Sequence, residues 1–394
     1  MKSFTFQGSP NILFEAGASN KIGELLKGYK AAHVLLVTGK KVRAAGLTRK
    51  AEAAIAEAGI ALTVSEDKVA EPTSHVIEAA AETCRECGVD AVLSIGGGSA
   101  MDTAKLVAYL AKNPGKLDDI YGIDRATGDR LPLLLVPTTA GTGSEVTPIS
   151  IVKTPNNEKK AVISPRLIPD CAILDPELTL GLPPDLTAQT GIDAVVHAIE
   201  AYTGKIKKNP ISDQFALKAL ALLTANLRKV YTDGSDLEAR SEMLLGSMLA
   251  GMAFANSPVA AVHALAYPIG AIFNVGHGLS NALVLPYVLE FNRPAAEALY
   301  AELSEVIQPG YRRQSDPADA AAFIAEIEAI CRDCGVSGSL SAVGIGEGHL
   351  SKLAEDAMKQ KDRLLVNNPR ELDYDQVRAI YASALAGRGP AAGE

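Results

Sequence analysis

Residues 90–105 read D-A-V-L-S-I-G-G-G-S-A-M-D-T-A-K. The apolar run Asp90–Ile95 predicts a buried strand, and the residues after Ser99 predict a helix that begins directly behind a glycine-rich turn. Glycines let the backbone approach a ligand closely, and the N-terminus of a helix offers unpaired N–H groups to a phosphate. The spacing is not that of the G-x-G-x-x-G fingerprint, and glycines also serve plain tight turns. The stretch predicts a strand–turn–helix unit with a candidate pyrophosphate site.

The flanking sequence repeats the same alternation of short β-branched runs and Ala-rich helical segments. We predict strands at His33–Val37, Ala61–Val64, Leu131–Val136 and Ala172–Leu174, and helices at Leu47–Ala58 and Ser74–Cys87. This alternation implies a parallel sheet with helices on both faces. The N-terminal part is therefore predicted to be an α/β, Rossmann-like domain.

The residue pattern of the sequence changes after Leu182-Pro183-Pro184, where a proline pair and the capping-type Asp185 mark a boundary. Strand-like runs almost vanish, and long Ala/Leu/Met segments with helical periodicity follow. Examples are Asp213–Tyr231, Ser235–Phe254, Ala295–Ile307 and Pro317–Cys334. We predict two domains, an α/β domain at 1–184 and an all-α domain at 185–394, because 394 residues exceed what one core usually supports.

A second polar loop, P-T-T-A-G-T-G-S-E at 137–145, follows another predicted strand. Ligands of open α/β sheets bind at the carboxyl ends of the strands, so two such loops favour a nucleotide site over two coincidental turns. Lys160 is a further candidate cation for this site, although a surface lysine is the commoner interpretation. The candidate nucleotide-binding residues of the two loops are Gly96, Gly97, Gly98, Ser99, Asp102, Thr138, Thr139, Thr142 and Ser144.

Four residues of the predicted helical domain have the chemistry of a metal site. Asp193 and His197 are four residues apart in G-I-D-A-V-V-H, so a helix directs both at one point. His263 and His277 follow in V-H-A-L-A-Y and V-G-H-G-L-S-N. A lone histidine is usually just hydrogen-bonded, but one carboxylate and three imidazoles with an open position suit a catalytic Fe(II), Zn(II), Co(II) or Ni(II) ion.

Composition and charge exclude several classes of partner. The formal charge is −8, and no long Lys/Arg block is present, which disfavours nucleic acid and anionic membranes. The N-terminus lacks the apolar core of a signal peptide, and no apolar run reaches the roughly 20 residues that span a bilayer. We expect a cytoplasmic enzyme.

The five cysteines include two C-x-x-C pairs, Cys84/Cys87 and Cys331/Cys334, which resemble a split zinc site. The pairs lie much farther apart in sequence than those of a zinc ribbon, and each ends a predicted helix before a glycine. We interpret them as reduced thiols on two helices, consistent with a reducing compartment.

A nucleotide site and an open metal site together indicate hydride transfer assisted by a Lewis acid. We predict transfer between C4 of a nicotinamide, from NAD or NADP, and a metal-bound short alcohol, diol or aldehyde.

The quoted motifs, with H-A-L-A-Y-P-I-G and H-G-L-S-N-A, resemble those of the iron-containing (group III) alcohol dehydrogenases. The resemblance spans nearly the whole chain, from an opening strand F-T-F-Q-G-S-P to N-N-P-R-E-L. It implies a Rossmann-like domain followed by a helical domain, an architecture shared with dehydroquinate synthase. It also implies iron held by Asp193, His197, His263 and His277, cofactor contacts from both loops and Lys160, and a homodimer joined through the N-terminal strands.

Two positions depart from the family pattern. Many members read H-A-L-A-H where this chain has Tyr267, and the second histidine is credited with passing a proton to solvent. The reference pKa of a phenol, about 10, suits this task poorly at neutral pH, so we expect water or the cofactor ribose to carry the proton.

The other departure lies in V-T-G-K-K-V-R, residues 37–43, where NAD-specific relatives often carry Asp in place of Gly39. Without that carboxylate, Thr38, Gly39 and Lys40, with Lys41 and Arg43 nearby, leave room and charge for the 2′-phosphate of NADP. The alternative is that these cations are solvated loop charges.

Several related functions stay open at this point. A glycerol dehydrogenase, hydroxyacid dehydrogenase or maleylacetate reductase would share the fold, and a dehydroquinate synthase-type lyase would need Lys/Arg residues near the metal ligands, which 193–202 and 255–281 lack. We expect a substrate pocket lined by Phe254, Val259, Ile149, Ile151 and 364–366, with an acid-bearing alcohol open while Lys361 and Arg363 are unplaced.

Overall fold

The computed structural model describes residues 3–66, 73–154, 159–336 and 338–387. Within these residues the chain forms two compact units. One unit is Gln7–Gly181. The other contains the residues up to Phe6 and those from Leu182 onward.

The first unit is built on a parallel sheet of six strands in the order β1-β9-β6-β4-β2-β3. These strands are β1 Ile12–Phe14, β2 His33–Thr38, β3 Ala61–Ser65, β4 Ala91–Gly96, β6 Leu133–Pro137 and β9 Cys171–Leu174. The helices of this unit are α1 Ile22–Gly28, α2 Lys40–Ala44, α3 Arg49–Glu57, α4 Ser74–Glu86 and α5 Gly98–Lys112.

The sheet is buried on both faces, as the apolar runs predicted. Successive side chains of a strand point to opposite faces. Leu35 and Val37 of β2 therefore pack into the core on the side of α4 and α5, whereas Val34 and Leu36 pack on the side of α1 and α3. The strand and helix alternation of the sequence is confirmed, and so is the prediction of a parallel sheet.

A second sheet of three short strands was not predicted. β8 Lys159–Ile163 pairs antiparallel with β7 Ile149–Lys153 and parallel with β5 Gly122–Ile123. β5 has only two residues and β8 begins with two lysines, so neither carries the apolar run by which the strands of the large sheet are recognised.

The second unit is helical throughout its described regular structure. Its helices are α6 Pro184–Thr203, α7 Pro210–Thr232, α8 Leu237–Asn256, α9 Ala261–Phe273, α10 His277–Ile307, α11 Asp316–Asp333, α12 Leu350–Met358 and α13 Tyr374–Ala386. Side-chain caps fix several starts; the Asn209 carboxamide, for example, accepts from the backbone N–H groups of Ile211 and Ser212 at the start of α7.

One prediction about the elements is too short, and one is wrong. The helix predicted at Ala295–Ile307 is the second half of α10, which continues through Pro286 and Pro294, so its buried face outweighs the cost of two missing N–H donors. The opening strand F-T-F-Q-G-S-P is not a strand in the described chain: residues 3–9 make no ladder, and β1 begins only at Ile12.

None of the described helices is by itself long and apolar enough to cross a bilayer. One pair, α8 with α9, meets the length and composition requirement jointly, but a bend of 106° separates the two helices.

Candidate functional site

Three helices of the second unit bring the four predicted metal ligands together. Asp193 and His197 lie one turn apart on α6, His263 lies on α9, and His277 is the first residue of α10. The Nε2 atoms of His197, His263 and His277 are 3.9, 3.8 and 3.4 Å from Oδ1 of Asp193. One ligand atom from each residue lies within 4.8 Å of all the others, as a shared ion requires.

Three residues of the cluster are buried and the fourth, His277, is partly exposed, so we call the His277 side the open side of the cluster. Asp193, His197 and His263 are 2%, 5% and 2% exposed, whereas the side chain of His277 is 35% exposed. A ligand from solvent therefore reaches the cluster on the His277 side. An open position of this kind is typical of catalytic and not of structural metal sites.

Two glycines explain how His277 comes so close to Asp193. A Cβ on Gly278 would lie 2.0 Å from the carbonyl oxygen of Gln189, and one on Gly276 would lie 2.9 Å from that residue's Oε1. The start of α10 thus packs directly on the backbone of α6, and only glycine permits this approach.

Glu200 fixes the orientation of His263 and was missed in the sequence. Its carboxylate accepts from Nδ1 of His263 at 2.7 Å and from the backbone N–H groups of Ala260 and Val262 at 2.9 and 2.7 Å. Because Nδ1 donates this hydrogen bond, Nε2 of His263 keeps its lone pair for a metal. Helical spacing carried the signal, since Glu200 follows His197 by three residues and Asp193 by seven.

Asn281 is the other missed residue. Its Nδ2 donates to Oδ1 of Asp193 at 2.7 Å, and one turn of α10 separates it from His277. The carboxamide therefore holds the carboxylate from the side opposite α6. Its own Oδ1 is buried without a hydrogen-bond partner among the described residues.

Charge in the cluster is concentrated on Asp193. Burial alone would raise the pKa of its carboxyl group, but the three neighbouring imidazoles and Asn281 hold that pKa below its ordinary value. Burial disfavours charge on His263, yet the carboxylates of Glu200 and Asp193 raise its pKa above the usual range. Asp193 thus stays an anionic ligand at neutral pH.

Aromatic rings surround the cluster. Phe254 of α8 stacks on His197 with centroids 4.3 Å apart. Tyr267, the departure from the family pattern, lies on α9 with its ring 6.3 Å from that of His263 and 5.9 Å from that of His277. Tyr267 is thus beside the partly exposed His277.

In the first unit, both predicted nucleotide loops follow neighbouring strands of the sheet. The connection from β2 leads to β3 in one direction, and the connections from β4 lead to β6 and β9 in the other. The direction in which successive strands are added to the sheet therefore reverses between β2 and β4. Open α/β sheets bind nucleotides at such a switch point. Thr38 is the last residue of β2 and Gly39 follows it, whereas Gly96 ends β4 and Gly97 and Gly98 lead into α5.

The two loops are in contact with each other. A Cβ on Gly98 would lie 2.7 Å from Cγ2 of Thr142, and one on Gly97 would lie 3.6 Å from Oγ1 of Thr139. Gly97 caps α5 without a side-chain hydrogen bond, so the first N–H groups of this 15-residue helix have no side-chain cap. The glycines make room for residues 137–145, called the threonine loop below, and for the approach of a ligand to the helix N-terminus.

Asp102 and Ser144, two of the predicted cofactor residues, are hydrogen-bonded to each other. Ser144 donates to Oδ1 of Asp102 at 2.6 Å, and the fully buried Lys105 donates to Ser144 at 2.8 Å and to the carbonyl of Ile149 at 2.7 Å. Burial lowers the pKa of Lys105 to about 8. These side chains connect α5 with the threonine loop and β7, and no role was predicted for Lys105 from its sequence context.

Glu145 adds a second buried charge to this region. Burial raises the pKa of its carboxyl group to about 7, and its Oε1 has no hydrogen-bond partner among the described residues.

The remaining nucleotide candidates differ in their surroundings. The Thr38 hydroxyl donates to the carbonyl of Ile95 at 2.7 Å and so joins β2 to β4. Lys40 is exposed at the start of α2. Arg43 pairs with Glu52 at 3.2 Å and Glu66 at 3.5 Å. Lys160 lies on β8 with its Nζ 5.2 Å from the centre of the Tyr121 ring.

The predicted pocket residues belong to both units. Phe254, Val259, Leu364 and Leu365 are buried in the helical unit, where Val366 is 44% exposed. Ile149 and Ile151 lie on β7 of the other unit.

The cysteines form no metal site in the described chain. All five are free, and the two C-x-x-C pairs lie on or at the ends of α4 and α11, in different units. Burial raises the pKa of Cys84 and of Cys331 to about 12, so these thiols stay protonated.

Comparison with known proteins matches two family models in succession. Residues 9–176 match "Iron-containing alcohol dehydrogenase", and residues 187–385 match "Fe-containing alcohol dehydrogenase family, C-terminal". A long-chain-alcohol dehydrogenase of Geobacillus thermodenitrificans is 39% identical over 377 residues, which are 94% of each chain.

Solved structures give the same result. A 1,3-propanediol oxidoreductase superposes with a TM-score of 0.94 at 33% identity, covering 97% of this chain and all of the other. A sulfoacetaldehyde reductase from Bifidobacterium kashiwanohense, solved in complex with NAD+, superposes with a TM-score of 0.87 at 28% identity, covering 98% of this chain and 100% of the other.

Proposed function

The chain belongs to the iron-containing alcohol dehydrogenase family, and from that premise we propose that Asp193, His197, His263 and His277 together hold one divalent metal ion. The protein is an oxidoreductase that acts on CH–OH groups, as an alcohol dehydrogenase or aldehyde reductase. One observation carries the metal proposal: four ligand atoms from three helices lie within 4.8 Å of one another around a single open side.

The donor set fits the metals that the family name implies. Three imidazoles and one carboxylate, without thiolate, suit both Fe(II) and Zn(II), and membership of the iron-containing family favours Fe(II). When bound, the metal supplies a Lewis acid that polarises the substrate oxygen.

The residues of the chain position this chemistry. Glu200 keeps Nε2 of His263 directed at the cluster, Asn281 holds the carboxylate of Asp193, and Phe254 stacks on His197. These contacts hold three of the four side chains in place before any ligand arrives, which lowers the entropy lost on binding. Tyr267 borders the open side, and we propose that solvent or the cofactor ribose, and not this phenol, carries the proton at neutral pH.

The coenzyme is proposed to bind at the switch point between β2 and β4. Supporting features are the N-terminus of α5 without a side-chain cap, Gly96–Gly98, and the threonine hydroxyls of the second loop. The contributing residues are proposed to be Thr38, Gly39, Lys40, Gly96, Gly97, Gly98, Ser99, Asp102, Thr138, Thr139, Thr142, Ser144 and Lys160, of which Asp102 and Ser144 act by shaping the loops.

We further propose that NADP is accepted beside NAD. No carboxylate occupies position 39, and Lys40 and Lys41 are exposed directly after it. The ion pairs of Arg43 with Glu52 and Glu66 reduce its contribution. Steady-state kinetics with both coenzymes test this: values of kcat/KM within tenfold of each other support NADP tolerance, and a larger preference for NAD refutes it.

A homodimer and a cytoplasmic location complete the proposal. Phe4, Ile12 and Phe14 are each 40% exposed, and β1 is an edge strand of the sheet. Five free thiols favour a reducing compartment. Sedimentation velocity of the purified protein would show one species of twice the chain mass, and a monomer at micromolar concentration would refute the dimer.

The activity itself is tested with a panel of C2–C6 alcohols, diols, hydroxyacids and the matching aldehydes, each with both coenzymes. We expect NAD(P)H formation or consumption that stops after chelation and returns when Fe(II) or Zn(II) is added. Full turnover by the metal-free protein would refute the metal proposal.

A further inference from the structure

We propose that Arg363 makes this site select short alcohols and aldehydes that carry an anionic group, a carboxylate or a sulfonate, at the end remote from the reacting carbon. The inference rests on the proposed function, because it names the substrate class of the same site.

Arg363 lies beside Tyr267, the aromatic residue next to the metal-ligand cluster. Its Cζ is 6.0 Å from the centre of the Tyr267 ring, and that ring is 5.9 Å from the ring of His277. His277 is the most exposed of the four candidate ligands. The Tyr267 ring is thus a common neighbour of the guanidinium group and of the most exposed candidate ligand.

The segment that carries Arg363 is fixed in place. Asn367 donates from Nδ2 to the carbonyl of Val259 at 3.2 Å, just before α9, and its own carbonyl accepts from the backbone N–H of Lys205 at 2.9 Å. Leu364 and Leu365 are 5% and 4% exposed. The guanidinium is thus held against α9, the helix that carries His263 and Tyr267, and is not on a loose loop.

The charge of Arg363 is not balanced within the described chain. Its Nε is buried without a hydrogen-bond partner, and no described carboxylate forms an ion pair with it. By contrast, Arg228 pairs with Glu326 at 2.7 Å and with Asp333 at 2.8 Å. Burying an unpaired donor of a charged group is unfavourable unless a partner arrives, and a planar guanidinium binds carboxylate and sulfonate oxygens well.

The carboxylates near the cluster are already engaged, so they do not compete for Arg363. Asp193 accepts from Asn281 and faces three imidazoles, and Glu200 accepts from His263 and two backbone N–H groups. A substrate with its hydroxyl or carbonyl toward His277 and a short chain past Tyr267 would place its anionic end at the guanidinium.

The reaction keeps the balance of the proposed dehydrogenase. R–CH2OH and NAD(P)+ give R–CHO, NAD(P)H and H+, where R ends in the anionic group. The carbon loses a hydride to the nicotinamide and the hydroxyl loses a proton to solvent. The anionic group is unchanged and serves only recognition.

Matched substrate pairs test the proposal with the metal-loaded enzyme. Succinic semialdehyde is compared with butanal, and sulfoacetaldehyde with propanal, so that the two arms separate carboxylate from sulfonate. We expect kcat/KM for at least one anionic aldehyde to exceed that of its neutral partner by tenfold or more.

Variants assign this preference to the guanidinium. Arg363→Gln is expected to lower kcat/KM for the anionic aldehyde roughly 10- to 100-fold and to change the neutral aldehyde less than threefold, in line with the loss of a charged hydrogen bond. Arg363→Lys keeps the charge and should retain part of the preference. Lys361→Gln removes an exposed positive charge two residues away and serves as the matched control.

Binding gives a readout that does not require turnover. Calorimetric titration of the metal-loaded, coenzyme-free protein with 4-hydroxybutyrate should give a heat of binding that Arg363→Gln removes and Lys361→Gln keeps. Equal kcat/KM for charged and neutral aldehydes in the wild type would overturn the inference, and so would equal losses for both in Arg363→Gln. Neither of those results would affect the proposed function. The proposed function would be refuted if no aldehyde or alcohol reacted.

Discussion

Glu200 shows how a residue that touches no substrate can control a site. It accepts a hydrogen bond from Nδ1 of His263 and two from the backbone at the start of α9, and so couples the orientation of one candidate ligand to the start of a helix. Neither α6 nor α9 alone fixes the imidazole. The buried carboxylate does so by joining the two helices.

Replacement of this carboxylate should weaken the metal site. Glu200→Gln keeps the shape of the side chain, but a carboxamide has only one acceptor oxygen and no charge, so it cannot accept all three hydrogen bonds. We therefore expect a 10- to 100-fold loss of metal affinity. Equilibrium dialysis with Zn(II) measures it. Glu297→Gln, on α10, is the matched control and should bind as the wild type does; unchanged affinity in Glu200→Gln would contradict the role assigned to Glu200.

Tyr267 tests the proton route at the same scale. Its ring lies 5.9 Å from that of His277, at the open side. In Tyr267→His the new imidazole would titrate near its reference pKa of about 6.5, so the pH–rate profile should gain an inflection between about pH 6 and 8. The dependence of kcat on pH is the measurement, and identical profiles for the two proteins would refute the prediction.

Single residues also mark what the sequence could and could not reveal. The i, i+4 spacing of Asp193 and His197 was sufficient to predict a metal cluster, and the same helix periodicity could have revealed Glu200. Arg363 was noticed but not placed, because it follows α12 in a loop whose path is fixed by Asn367 and Val259, far apart in sequence. Long-range backbone contacts of this kind leave no local pattern.

At the level of elements, the glycine turn after β4 and the threonine loop after β6 pack closely against each other. The contact of Gly98 with Thr142 leaves no room for a methyl group, since a Cβ would lie 2.7 Å from Cγ2. Loops that pack this tightly hold their backbone N–H groups in a fixed arrangement, which favours binding of a rigid phosphate group.

Gly98→Ala should therefore displace the threonine loop and weaken coenzyme binding. We expect the dissociation constant for NADH to rise roughly tenfold or more, because a clash of this size forces a backbone shift. Fluorescence titration measures it. Gly28→Ala, at the end of α1, meets no atom within 4 Å and should bind NADH normally; normal binding in Gly98→Ala would show that the close contact has no influence on the coenzyme site.

The threonine loop also carries a pH-dependent stability term in Glu145. Burial raises the pKa of this carboxyl group to about 7, so between about pH 4.3 and 7 the folded protein holds a proton that the unfolded chain releases. The contribution of this group to the free energy of unfolding is therefore fully present below that window and is lost as the pH rises through it. The total loss of stability is about 3 kcal/mol.

Glu145→Gln should remove this term. We expect the variant to be more stable than the wild type at pH 8 and to lose less stability between pH 5 and 7.5. Denaturant unfolding at several pH values checks both expectations. Glu57→Gln, on the exposed end of α3, should follow the wild type; a wild-type slope in Glu145→Gln would contradict the assignment.

Among the elements, predictability followed the strength of the hydrophobic pattern. β2 and β4 were recognisable because burial on both faces makes them continuous apolar runs. The β7–β8 pair was missed because its strands are partly polar. The predicted helix was shorter than α10 because prolines usually end a helix, and here the packing of the helix outweighs the effect of its two prolines.

For the molecule as a whole, the candidate coenzyme site lies on a parallel sheet and the candidate metal site lies among helices. The ends of parallel strands hold the candidate nucleotide loops in one unit, and the facing sides of three helices hold the candidate metal cluster in the other. The order of the sheet, with its switch point between β2 and β4, was not predicted, because strand order depends on crossover direction and not on the composition of any strand.

The central claim is that Asp193, His197, His263 and His277 form one metal site on which dehydrogenase activity depends. The most direct test measures bound metal per chain by inductively coupled plasma mass spectrometry, together with alcohol oxidation, in wild type and His277→Ala after anaerobic loading with Fe(II). We predict about one metal ion per wild-type chain, and joint loss of metal and of activity in the variant. Full activity in wild-type protein without bound metal, or unchanged metal content and activity in His277→Ala, would contradict it.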